Sequence, residues 1–167
     1  GRILSNQMLK ESEVLVVRSV TSVCEELLDG SRIKLVCSTT SGLDHIDKEY
    51  LRKSNIELTN APGANAIAVV EYVIFTILLY SLDTGKPFQN LKIGVIGHGE
   101  IGSRLTKLLE ELGLHVLVND PPKKKFQKLN REHFSLEQLV SECDCLTVHV
   151  PLDNETEYPT INLLDYE

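Results

Sequence analysis

The stretch "IGVIGHGEIGSRLTKLLEELGLHVLVNDPP", residues 93–122, decides the fold of this chain. An apolar strand runs directly into "GHGEIG", residues 97–102, which matches the G-x-G-x-x-G pattern. A helical pattern over residues 101–112 follows, and a second strand then closes on Asp120. Strand, glycine turn, helix, strand and acid follow one another at the spacing of a dinucleotide-binding unit, so the sequence predicts a Rossmann-like βαβ unit.

Each residue of the turn has a predicted task. Gly97 makes the tight turn, Gly99 lets a pyrophosphate approach the backbone, and Gly102 lets helix and strand pack closely. Asp120 is predicted to accept hydrogen bonds from the adenosine ribose and to repel a 2′-phosphate, which favours NAD over NADP. Two alternatives stay open: the glycines serve packing alone, or Asp120 only caps the turn before the two prolines that follow it.

Short β-branched runs alternate with helical patterns along the rest of the chain. The runs are residues 14–17, 33–38, 56–58, 92–96, 116–118 and 145–150. Such alternation predicts an α/β protein whose parallel strands are joined by crossover helices. Ser22 with Glu25 fits a capping box that opens a short helix ending near Gly30, and residues 44–53 predict another. The pattern over residues 65–80 is apolar nearly all round, so this helix is expected to pack between other elements.

The segment "SLDTGKPFQN", residues 81–90, marks the predicted domain boundary. It combines Gly, Pro and polar residues and precedes a fresh strand. Residues 1–84 are therefore expected to form part of a flavodoxin-like substrate-binding lobe. Residues 85–167 are expected to form part of a doubly wound, Rossmann-like parallel sheet.

Composition excludes several classes of function. The net charge of −7 argues against a nucleic-acid partner, and the three lysines at 123–125 are expected to form a solvated turn. The longest apolar run is interrupted by Glu71 and lies mid-chain, so we expect neither a membrane span nor a targeting segment and place the protein in the cytoplasm. The four cysteines lack metal-ligand spacing, which predicts reduced thiols and no metal site.

Several blocks resemble the D-isomer-specific 2-hydroxyacid dehydrogenases. They are the glycine turn, "NDPP" at 119–122 and "CLTVHVPL" at 145–152. In the first half, "VVRSVT" at 16–21, "STTSGLDHID" at 38–47 and "APGANAIAVVEYV" at 61–73 narrow the resemblance within that family. They are similar to members that oxidise 4-phospho-D-erythronate with NAD in pyridoxal 5′-phosphate biosynthesis. Phosphoglycerate dehydrogenases are the alternative, although they usually carry a longer connection after the apolar helix.

The resemblance also implies site residues. Ser19 and Thr40 would contact a small phosphorylated hydroxyacid, since each follows or ends a predicted strand, where open α/β sheets bind ligands. Glu100 and Ile101 would meet the cofactor through their backbone, and Val150 would lie beside it. The alternative for the two hydroxyls is a local bond to a turn backbone.

The remaining polar candidates receive no chemical role. Arg18 is a strand-end charge, His45 and His149 are expected to be structural, and the side chain of His98 is expected to point away from the turn backbone.

The resemblance places the family's catalytic arginine, glutamate and histidine downstream of "HVPL", beyond Glu167. We therefore predict no catalytic residue within the chain and expect it to be inactive alone. The first residues, "GRILSNQMLKES", also lack the opening strand expected of the substrate lobe, so we expect the chain to be incomplete at both ends. Three hypotheses stay open: a dehydrogenase, homodimeric when complete; a non-catalytic NAD-binding sensor or scaffold; and a defunct fragment.

Overall fold

The computed structural model describes residues 4–126, 131–153 and 156–164. The chain divides into two compact units, residues 1–65 and 66–167. Each unit contains a three-stranded sheet in which every pair of neighbouring strands is parallel. The predicted α/β class with parallel strands is confirmed.

The first unit builds its sheet in chain order. Its elements are α1 (Asn6–Leu9), β1 (Val14–Val17), α2 (Glu25–Leu28), β2 (Leu35–Ser38), α3 (Lys48–Lys53) and β3 (Glu57–Asn60), with strand order β1-β2-β3. Leu15 and Val17 of β1 are buried, whereas Val14 and Val16 are exposed. One face of this strand therefore meets the core, as the period of two in a strand requires.

The two helices predicted for the first unit, α2 and α3, begin later than predicted. The N-cap of α2 is Cys24, without a side-chain cap bond, and the capping box expected at Ser22 is wrong. The reason is tertiary: Val23 pairs with Ile46 in a parallel bridge, and this pairing holds both residues in extended backbone. The same bridge delays α3, whose N-cap is Asp47.

The second unit carries the glycine turn. Its elements are α4 (Ala66–Thr84), a 3-10 turn (Phe88–Asn90), β4 (Lys92–Ile96), α5 (Glu100–Glu111), β5 (His115–Asn119), α6 (Pro121–Lys125), α7 (Leu136–Glu142) and β6 (Cys145–Val148). The strand order is β5-β4-β6, so the chain leaves β4 on one side and returns on the other. This reversal is the topological switch point of a doubly wound sheet, which opens a crevice at the carboxyl ends of β4 and β6.

The core of the second unit lies between α5 and the sheet. Leu105 and Leu109 of α5 and Ile93 and Val95 of β4 are all fully buried, at 0% exposure. Burying one such side chain contributes about 1.5–3 kcal/mol. Their packing fixes the helix over the strand that precedes the turn, and so sets the position of the turn between them.

Helix α4 packs with the second unit, because Val70 and Ile77 belong to its core. The compact units therefore separate between Asn65 and Ala66, whereas the sequence placed the domain boundary after residue 84. The two divisions differ by this one helix.

Helix α4 was expected to pack between other elements on all sides, but Tyr72 is 72% exposed and Leu82 is 71% exposed. With 19 residues and a mean hydropathy of 1.8, it is long and apolar enough to cross a membrane. A core helix of a soluble protein meets the same two criteria, so they do not by themselves assign a membrane.

Candidate dinucleotide-binding site

A cavity of about 750 Å³ opens at the carboxyl end of the second sheet. Its walls come from the ends of all three strands and from the segment that follows β6. The lining includes Gly97, Gly99, Asp120, Lys123, Val150 and Tyr158. The cavity therefore lies at the switch point, where open α/β sheets bind their ligands.

The three glycines of the turn differ in their surroundings. Gly97 has a φ of +87°, and a Cβ there would come within 2.8 Å of the His149 carbonyl oxygen. A Cβ on Gly102 would lie 1.9 Å from the carbonyl oxygen of Gly97. A Cβ on Gly99 would meet nothing within 4 Å. The fold itself thus requires the first and third glycines, whereas the middle one faces open space beside the cavity.

Helix α5 begins at this open space. Gly99 is its N-cap, and Glu100 and Ile101 are its first residues. Amides of a first helical turn have no acceptor within the helix, and they carry the positive end of the helix dipole. The side chain of Glu100 is held by Arg104, whose Nη1 donates to Oε2 at 2.6 Å. Backbone amides near a cavity of this size suit an anionic group such as a pyrophosphate.

Asp120 is tied to the turn by both carboxylate oxygens. Oδ2 accepts the backbone N–H of His98 at 2.8 Å, and Oδ1 accepts that of Lys123 at 2.9 Å. Asp120 is also the N-cap of α6, so the capping function left open by the sequence is present. Each carboxylate oxygen keeps a second lone pair, so capping leaves Asp120 able to accept a ribose hydroxyl as well.

Lys123 is a site residue that the sequence did not indicate. The lysines were expected to form a solvated turn, but residues 121–125 form a helix with proline in its first positions, where the fixed φ of proline suits a helix start. Lys123 is half-buried, and its Nζ donates to the backbone carbonyl of His98. Burial, followed by the charges of Lys123 and Arg131, lowers the pKa of the His98 imidazole.

The end of β6 supplies the opposite wall. His149 donates its backbone N–H to the Ile96 carbonyl at 2.8 Å, and its Nε2 lies 2.8 Å from the Thr147 hydroxyl. Burial lowers the pKa of this imidazole. Val150, at the predicted position beside the cavity, packs against the buried cluster that contains Ile96. These contacts hold β6 against β4 at the depth of the turn.

In the first unit, Ser19 and Thr40 follow neighbouring parallel strands. Ser19 lies exposed in the turn after β1, and Thr40 is half-buried after β2. The Thr40 hydroxyl lies 3.0 Å from that of Ser38, which is 3% exposed, and 3.4 Å separate Ser38 Oγ from His45 Nε2. The Thr40 hydroxyl also donates to the Gly42 carbonyl at 3.3 Å, which is the local backbone bond of the turn alternative. The sequence did not indicate Ser38 as its partner.

The four cysteines lie in the described part of the chain, and none of them forms a disulfide bond there. Cys24, Cys37, Cys143 and Cys145 are free thiols, and burial raises the pKa of Cys143 to about 11. Within residues 4–126, 131–153 and 156–164, no three His, Cys, Asp or Glu side chains are grouped as a metal ion needs.

The second unit matches a known protein family. Residues 80–162 match the model of the D-isomer specific 2-hydroxyacid dehydrogenase NAD binding domain. These residues are similar to the NAD-binding domain of this dehydrogenase family. The resemblance stated from the sequence is confirmed, and so is NAD as the cofactor of the matched domain.

Curated relatives of the dehydrogenase family extend the similarity over both units. An erythronate-4-phosphate dehydrogenase of Hahella chejuensis is 46% identical over 165 residues, which is 99% of this chain and 42% of that protein. One of Shewanella loihica is 42% identical over 166 residues, covering 99% of this chain and 44% of the relative. The chain thus spans less than half the length of these relatives.

A solved dehydrogenase structure has the same fold. The NAD⁺-bound 3-phosphoglycerate dehydrogenase of Entamoeba histolytica superposes with a TM-score of 0.75 at 26% identity, covering 90% of this chain and 50% of that one. The Rossmann-like class predicted from the glycine turn is therefore confirmed.

Proposed function

We propose that the protein to which this chain belongs oxidises 4-phospho-D-erythronate to its 2-oxo acid with NAD, in pyridoxal 5′-phosphate biosynthesis. The observation that carries the proposal is the 46% identity to an erythronate-4-phosphate dehydrogenase over 99% of the chain, across both units. The cavity at the switch point supports it, because its lining includes the open space at Gly99, where helix α5 begins, and the carboxylate of Asp120.

We assign the cofactor contacts residue by residue. Gly99 leaves the path of the pyrophosphate open, while the backbone of Glu100 and Ile101 donates to it. Asp120 accepts the adenosine ribose hydroxyls with its remaining lone pairs. Val150 forms the apolar wall. Gly97 and Gly102 contribute by shaping the turn. NAD, when bound, supplies the hydride acceptor of the reaction.

Ser19 and Thr40 are proposed to hold the substrate. Parallel strands present their carboxyl ends at one edge, and both hydroxyls lie just past such ends in the first unit. The Thr40 hydroxyl now donates to the Gly42 carbonyl at 3.3 Å, and an anionic substrate oxygen would take the place of that weak acceptor while Ser38 donates to Thr40. The base and the carboxylate-binding cation that the reaction needs are assigned to the parts of the relatives that this chain does not span.

Steady-state kinetics of a longer protein containing this chain test the assignment. We expect turnover of 4-phosphoerythronate with NAD and a clear preference for it over 3-phosphoglycerate. Ser19→Ala and Thr40→Ala should raise KM about threefold to tenfold, since each removes one substrate hydrogen bond worth roughly 0.5–1.5 kcal/mol. Thr39→Ala, which changes the exposed neighbour of Thr40, is the matched control.

Phosphoglycerate oxidation is the second candidate, favoured by the structural match to a 3-phosphoglycerate dehydrogenase at a TM-score of 0.75. A preference for 3-phosphoglycerate in the same assay would replace the first assignment and keep the reaction class.

We further infer a cytoplasmic homodimer without a membrane or nucleic-acid partner. The exposed apolar side chains of α4, which include Tyr72, Phe75 and Leu82, support a protein partner for this helix. The net charge of −7 argues against nucleic acid. Light scattering after size-exclusion chromatography of the longer protein measures the oligomeric state, and a monomeric mass would contradict the dimer.

A further inference from the structure

His98, the second residue of the glycine turn, is held at both of its backbone polar groups. Its N–H donates to Asp120 Oδ2 at 2.8 Å, and its carbonyl accepts a bond from Lys123 Nζ. The two holding residues are also joined to each other, since the Lys123 N–H donates to Asp120 Oδ1 at 2.9 Å. We call these three bonds the His98 clasp.

We propose that Lys123 is a positioning residue for the dinucleotide, which holds the glycine turn in its binding shape and adds positive charge beside Asp120. The proposal rests on the cavity being the cofactor site proposed above.

The need for such a residue follows from the turn itself. A glycine-rich segment loses more conformational freedom on ordering than any other, so an unrestrained turn makes binding weaker. The amides at the start of α5 follow His98 directly in the chain, so a displacement of the His98 backbone also displaces these amides. A bond from an ammonium to a carbonyl is charge-assisted, and it is stronger than a neutral bond of the same kind. Lys123 therefore restrains the turn before any ligand arrives.

The charge of Lys123 has a second consequence. Asp120 presents a carboxylate to the adenosine ribose, and a 2′-phosphate would meet that negative charge. Lys123 lines the same cavity and offsets part of the repulsion. Loss of the ammonium is therefore expected to weaken a 2′-phosphorylated dinucleotide more than an unphosphorylated one.

The chain offers a matched control for this charge. Lys124 is the next residue of the same short helix, carries the same charge and is exposed, whereas Lys123 is half-buried. Lys124 is absent from the described lining of the cavity. Comparison of Lys123→Met with Lys124→Met separates the clasp from a general loss of charge on α6.

Titration of the 167-residue chain with NADH and NADPH, followed by nucleotide fluorescence, tests the proposal. We expect Lys123→Met to raise the Kd for NADH about tenfold, as the loss of one charge-assisted bond implies, and the Kd for NADPH further. Lys123→Arg should restore both, and Lys124→Met should bind as the wild type does. Thermal unfolding of each variant shows whether it is folded, and a purely structural role would not change the ratio of the two affinities.

Two results would overturn the proposal in distinguishable ways. Equal NADH affinity for folded Lys123→Met and Lys124→Met would remove the role of Lys123 and leave the cofactor site intact. A wild-type chain that binds neither dinucleotide would remove the proposed cofactor site, and the positioning role with it.

Discussion

The carbonyl oxygen of Gly97 occupies the place beside Gly102 that a side chain would need, since a Cβ on Gly102 would lie 1.9 Å from it. Because that contact joins two backbone segments, neither can move aside without displacing α5. We expect Gly102→Ala to lower the free energy of unfolding by about 3 kcal/mol or more, the upper part of the range for overpacking. Chemical denaturation measures the loss. Gly99→Ala is the matched control, because its Cβ would meet nothing within 4 Å.

Gly99→Val should separate binding from folding. The residue has a φ of −78° and open space around its Cβ position, so the variant is expected to fold. The added isopropyl group would project into the space assigned to the pyrophosphate, and NADH binding should be lost. Circular dichroism establishes the fold and calorimetric titration the affinity. Wild-type affinity in a folded Gly99→Val variant would contradict the cofactor assignment of the cavity.

Asp120→Ala is expected to change cofactor preference. The substitution removes the proposed ribose acceptor and the repulsion of a 2′-phosphate, so the affinity for NADH should fall about tenfold or more and that for NADPH much less. It also leaves the N–H groups of His98 and Lys123 without their acceptor, which should lower the unfolding temperature. Asp83→Ala, an exposed carboxylate on α4, is the control. Equal losses for both dinucleotides would leave Asp120 with its capping function alone.

The second unit should lose stability in mildly acidic solution. Burial lowers the pKa values of His98, His133 and His149 below their usual value of 6.5. The unfolded chain therefore binds more protons than the folded one, and the free energy of unfolding falls as pH drops below that value. Denaturation curves between about pH 7 and about pH 5 measure the slope.

Substitution of one half-buried histidine tests the cause of that slope. His149→Gln should flatten it, whereas His115→Gln, at an exposed position on β5, is the matched control. An unchanged slope in His149→Gln would show that other groups cause the pH dependence.

The sequence pattern alone predicted the bounds of elements that depend on residues close to one another in the chain. Strands β1 and β4 have the predicted bounds, and the glycine turn lies between its strand and helix as expected. The start of α2 could not be predicted in this way, because it depends on the bridge between Val23 and Ile46, which are distant in sequence. Helix α7 does carry a local signal, since Ser135 and Gln138 form a capping box at its start.

The same distinction applies to the residues of the candidate site: a local pattern predicts some of them and not others. The roles of Gly97, Gly99 and Gly102 follow from an established spacing, and their surroundings agree with it. No sequence pattern indicates Lys123. Its ammonium contacts the His98 carbonyl only because residues 121–125 form the short helix that Asp120 caps. Ser38 could not be predicted for a different reason. Serine is common at the end of a strand, and only the folded structure brings the His45 imidazole close to the Ser38 hydroxyl.

The strand order β5-β4-β6 has a consequence for the order of synthesis. The glycine turn and its acid are complete when residue 120 leaves the ribosome, but the opposite wall of the cavity waits for β6 to dock on the far side of β4. Val150 and Tyr158, which line that wall, emerge later still. A nascent chain stalled before β6 would therefore carry the whole fingerprint and yet offer the dinucleotide only half a pocket, so cofactor capture would report that the sheet has closed.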